Sequence, residues 1–66
     1  MHIQLNGELR QIRPDTTIAT LLANEGLAER HVAVEVNGTI VPRAQHPQDL
    51  IHDGDRVEIV HALGGG

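Results

Sequence analysis

Gly64, Gly65 and Gly66, the last three residues of this 66-residue chain, are its most distinctive chemical feature. Three consecutive glycines lose more backbone entropy on ordering than any other tripeptide and bring no side chain to a core. Their physical use is to pass bare backbone through a channel in another protein where any Cβ would clash. Fully extended, residues 63–66 reach at most ~14 Å, at 3.3–3.6 Å per residue. That reach carries the carboxylate of Gly66 from a domain surface into a partner's active site, with Leu63 as the apolar residue a partner grips. The competing reading is an inert frayed end, since chain termini are commonly poorly ordered.

Other residue types offer less. The five histidines, His2, His31, His46, His52 and His61, are scattered, with no pair at the spacing that ligates a metal from one strand or helix. His61 lies nearest the glycines, where packing along the strand edge competes with contact to a partner. Asp53 and Asp55 flank Gly54 but lack the further ligands and closing Glu of a calcium loop. Turn chemistry explains them better, because Asp favours turns and Gly54 permits positive φ. The chain has no Ser and no Cys, which removes serine triads, cysteine nucleophiles, disulfides and thiolate metal sites. Arg43 and Arg56 are candidate partner contacts near the tail, against the simpler role of solvated surface charge.

Five arginines and no lysine against nine acids leave a net charge of −4. Nucleic-acid binding requires a basic face and, for single strands, stacking aromatics. With no Phe, Tyr or Trp, that class is set aside. An acidic surface suits a partner with a basic docking face, or simply keeps a small protein soluble. The N-terminus lacks a basic stretch followed by an apolar one, and no apolar run approaches membrane-spanning length. A cytoplasmic protein without a membrane partner is expected.

The elements must then position the tail. Met1, Ile3 and Leu5 alternate with polar residues, the period of a half-buried strand. Asn6-Gly7 is a two-residue hairpin signal. It leads to a second strand over 8–13, where Leu9 and Ile12 do not share a face and a bulge or ragged end is expected. Thr17, with Asp15 and Thr16 as competitors, is the expected N-cap of a helix with Ile18, Leu21 and Leu22 on one stripe. Gly26 stops it, with Leu27 as an apolar contact beyond the end. Val32, Val34 and Val36 mark a strand over 31–37, and Asn37-Gly38 turns it into a short strand over 39–41 closed by Pro42. Residues 43–48 read as irregular, and Leu50 and Ile51 as core plugs from a turn. The last strand, over 56–62, points Val57 and Ile59 inward. Two strands, one helix and three strands predict an α+β domain over 1–62 with the helix across one sheet face, followed by a flexible tail over 63–66. The core of so short a chain must be aliphatic, and a domain of this size buries only ~60% of its unfolded surface.

Taken together, the N-terminal hairpin, TTIATLL, VAVEVNGTIVPR, DGDRVEIVHA and the glycine end cover nearly the whole chain. In combination they resemble the sulfur carrier proteins of thiamine biosynthesis, the ThiS family of ubiquitin-like β-grasp proteins. The family's minimal ending is two glycines, and this chain has a third. The resemblance implies a β-grasp fold with a mixed sheet of about five strands. It also implies that the chain is no enzyme but a protein co-substrate. An adenylating enzyme related to ubiquitin activators would use ATP and Mg, bound by that enzyme and not by this chain, to adenylate Gly66. A persulfide donor would convert the adenylate to a thiocarboxylate, and thiazole synthase would take the sulfur. Gly64 and Gly65, with Leu63, would thread the partners' channels. Two alternatives stand beside it: the small subunit of molybdopterin synthase, whose family generally runs longer, and a β-grasp adaptor with an inert tail.

Overall fold

The computed structural model describes residues 1–61. Strand β1 (His2–Leu5) turns through Asn6 and Gly7, at φ 49° and 85°, into β2 (Glu8–Gln11). Two successive left-handed residues are what a tight two-residue hairpin demands. The register runs without interruption from Leu5↔Glu8 to His2↔Gln11, and backbone bonds between Met1 and Ile12 extend it by one pair. Of the expected bulge or ragged end, the bulge is absent, and β2 ends at Gln11 instead of running to Arg13. Leu9 pairs with outward-facing Gln4 and stays in solvent, while Ile12 turns inward against the core.

Helix α1 (Ile18–Asn24) opens as expected: the Thr17 hydroxyl accepts from Thr20 N–H at 3.1 Å. It closes with Leu27 N–H on Leu22 C=O at 2.7 Å and Gly26 N–H on Ala23 C=O at 3.0 Å. This paired bonding around a left-handed glycine satisfies two carbonyls the helix would otherwise leave open. Seven residues cannot hold a helix alone. Its stability comes from Ile18, Leu21 and Leu22, all buried against the sheet.

Strand β3 (Val32–Val36) turns through Asn37 and Gly38 into the short β4 (Thr39–Ile40), and β5 (Arg56–His61) is the last described strand. The sheet order is β2-β1-β5-β3-β4. β5 runs parallel to β1 and antiparallel to β3, so the sheet is mixed and β5 is central. Ile3, Ile18, Val34 and Val57 are the largest fully buried side chains, and Leu5, Ile51 and Ile59 complete the layer between helix and sheet. Each such burial is worth ~1.5–3 kcal/mol before entropy is counted.

Two expectations for the connection before β5 change. Ile51 plugs the core, but Leu50 is 49% exposed. Leu50 forms an isolated antiparallel bridge with Thr17, and neighbours in extended backbone point to opposite sides, so only one of the two can enter. The stretch read as irregular contains a single 3₁₀ turn (Arg43–Gln45). His46 follows it and is buried, its Nε2 3.1 Å from the Val41 carbonyl.

Candidate functional site

The strand that leads to the glycines is the best-braced in the sheet. Both hairpin asparagines reach it. Asn37 Oδ1 accepts from Arg56 N–H at 2.9 Å, and Asn6 Oδ1 accepts from Ile59 N–H at 2.8 Å. Their backbone N–H groups donate to the carbonyls of Arg56 and Val57 respectively. Asn37 Nδ2 also donates to Asp55 Oδ1 at 3.0 Å. The two Asn-Gly pairs therefore do more than turn the chain: they clamp β5 from both neighbouring strands.

Beyond that clamp the surroundings change. Pairing with β1 is confined to Gln4↔Arg56 and Leu5↔Val57, whereas β3 continues alongside as far as Val32↔His61. After Ile59, β5 thus has a strand neighbour on the β3 side alone among the described residues. The chain reaches residue 61 as a strand with one open backbone edge, at the margin of the sheet.

The sheet face away from α1 is open and mixed in character. Leu9, Ile40 and Val60 are exposed there. Glu35 stands directly opposite Glu58, and neither forms an ion pair among the described residues. Like charges in cross-strand register are mildly destabilising. On the inner face of edge strand β2, Arg10 binds Glu25 at the end of α1 at 3.0 Å and Glu8 at 3.4 Å. The hydrogen bond that Arg10 donates to Glu25 raises the Arg10 pKa above its ordinary value.

Of the candidates from the sequence, Leu63, Gly64, Gly65 and Gly66 lie outside the described residues. His61 is exposed at the end of β5, where among the described residues the strand has a neighbour on the β3 side alone. Arg56 begins β5, five residues before His61 and ~16 Å away at strand rise, and does not neighbour the tail. Arg43 is exposed near the start of β3, beside Val32 and Arg30. Asp53 and Asp55 serve the turn, accepting from the backbone N–H groups of His2 and His52, each at 2.8 Å. Among the described residues no three His, Asp or Glu side chains gather as a metal site would require. No described helix is long and apolar enough to cross a membrane. Sequence reading missed the exposed Val60 and Ile40, and the asparagine clamp; the only signal for the clamp was the repeated Asn-Gly.

A model of the ThiS family matches residues 3–66. The chain belongs to the ThiS family. It is 40% identical over 65 residues to the sulfur carrier protein ThiS of Bacillus subtilis, covering 97% of this chain and 98% of that one. A crystal structure of the thiamine biosynthesis protein ThiS from Geobacter metallireducens superposes with a TM-score of 0.87 at 29% identity, over the whole of both chains. The α+β β-grasp with a mixed five-stranded sheet and one short helix, expected from the sequence, is the fold observed. A thiazole synthase of Paramagnetospirillum magneticum is 42% identical over all 66 residues, which make up 20% of that protein. The chain spans about a fifth of the length of the thiazole synthases it matches.

Proposed function

We propose that this chain is a sulfur carrier for thiamine biosynthesis and that its reactive group is the carboxylate of Gly66. The observation that carries this reading is the family match, which runs through the terminal glycines and agrees with the carrier name of the Bacillus subtilis relative. The thiazole synthase relative supports thiazole synthase as the acceptor of the sulfur.

The chemistry follows from leaving groups. A carboxylate oxygen departs poorly, so a partner of the ubiquitin-activator type transfers AMP from Mg-bound ATP to Gly66 and releases pyrophosphate. The terminal sulfur of a persulfide displaces AMP from the acyl carbon. A second thiol then attacks the donor sulfur, forming a disulfide and leaving the thiocarboxylate on Gly66. Sulfur is the better nucleophile, which suits it to attack a substrate held by thiazole synthase. ATP, Mg and persulfide are all bound by partners, and the chain itself is a co-substrate that meets them in the cytoplasm. Its own contributions are a slender end and a rigid strand leading to it. Leu63, Gly64 and Gly65 occupy the partners' channels.

Two measurements test this. Incubation with the adenylating partner and ATP should release pyrophosphate, and removal of all three terminal glycines, Gly64 to Gly66, should stop it. Expression in a cell lacking its own thiazole sulfur carrier should restore growth without thiamine. Rescue of molybdenum-cofactor synthesis alone would assign the chain to molybdopterin synthase instead. Absence of any turnover would favour an adaptor.

A further inference from the structure

Apart from the tail, one pocket combines charge, apolar surface and a buried acceptor. It lies between α1, the approach to β3 and the 3₁₀ turn, with a volume of about 180 Å³. Ala19, Leu22 and Val32 contribute its apolar wall, and Arg30, Arg43 and His46 its polar groups.

The arginines are the first observation. Two of the chain's five arginines border this one small space, and neither forms an ion pair among the described residues. An oxyanion bound by both side chains would gain charge-assisted hydrogen bonds from two guanidinium groups. His46 is the second. It is 5% exposed, and because a carbonyl only accepts, its bond to Val41 C=O puts the proton on Nε2. In the neutral ring Nδ1 carries the lone pair, and it has no partner among the described residues. Among the described residues no buried side-chain nitrogen or oxygen lacks a partner, so Nδ1 meets solvent, and His46 lines this pocket. An acceptor in that wall calls for a ligand that donates. Size is the third: an apolar cavity of ~150 Å³ takes up benzene, so this space admits about six to eight non-hydrogen atoms.

We propose that this pocket binds a small hydroxy-carboxylic acid. Its carboxylate lies between Arg30 and Arg43, its short carbon chain lies on Ala19, Leu22 and Val32, and its hydroxyl donates to His46 Nδ1. The proposal does not rest on the sulfur-carrier reading, and no carrier chemistry enters its test.

The test is a nuclear magnetic resonance titration of the full chain with 3-hydroxybutyrate, at ionic strength held constant with chloride. Expected are saturable shifts confined to Ala19, Val32 and the His46 ring, with a Kd in the millimolar range that so few atoms allow. Butyrate should bind several-fold more weakly and 1,3-butanediol should produce no saturation. The double variant R30Q/R43Q should weaken binding about tenfold or more, the loss expected from charge-assisted bonds. Both arginines are exposed, so the variant should melt as the parent does. Shifts that fail to saturate by ~50 mM would overturn the site, as would binding indifferent to R30Q/R43Q. Equal affinity for butyrate would remove His46 from it.

Discussion

Gly65 differs from valine by three carbons, and the proposed chemistry depends on their absence. Gly65→Val should abolish pyrophosphate release by the adenylating partner while leaving the thermal midpoint of the domain unchanged. A large drop in that midpoint would mean the tail is structural. Asn6 is a residue of the opposite kind, fixed in place and holding something. It sits at φ 49° and its side chain satisfies the Ile59 N–H. Asn6→Ala loses both an easy left-handed conformation and that bond, and should cost ~1–3 kcal/mol in urea unfolding. The turn at Asn6-Gly7 was plain in the sequence because local sterics select it. The bond to Ile59 was not, because it joins residues 53 positions apart and no local pattern reports it.

At the scale of elements, α1 is marginal and depends on its ends and its apolar stripe. Thr17→Ala should destabilise the domain by ~1 kcal/mol through loss of the N-cap. Ile18→Ala, in a fully buried position, should cost ~2–5 kcal/mol and leave much of the chain unfolded at ambient temperature. Both are read from denaturant curves. The Arg10–Glu25 contact that ties α1 to β2 is partly exposed on the arginine side, so Arg10→Gln should have a small effect that shrinks as salt is added. A raised arginine pKa contributes stability fully present below its ordinary value, and this holds throughout the neutral range. The effect should therefore not vary with pH there. Periodicity and turn residues revealed α1 and all five strands. They did not reveal which of Leu50 and Ile51 goes inward, since that depends on the bridge to Thr17. Nor did they show that His46 is buried, because its partner is the Val41 carbonyl across a turn.

For the whole molecule, hairpin signals at each end and one helix between them limited the topology to few choices. The parallel pairing of β1 with β5 was beyond local patterns. That pairing places the strand leading to the glycines at the centre of the sheet, clamped by both hairpins and released only at its end. The open face beside it carries Val60, Ile40 and Leu9 around the Glu35–Glu58 pair, and a part for it in docking the proposed partner can be tested directly. Val60→Glu adds a third acid there at an exposed position. It should slow pyrophosphate release without lowering thermal stability, and an unchanged rate would exclude this face from partner docking.

The central claim is that Gly66 is chemically charged with sulfur. Its most direct test is the mass of the extreme C-terminal peptide of this protein, purified from its native host during thiamine starvation. The account predicts a species in which one carboxylate oxygen is replaced by sulfur, blocked by alkylation and lost when the adenylating partner is deleted. A Gly66 that bears only its carboxylate under starvation, with the partner present and active, would contradict it.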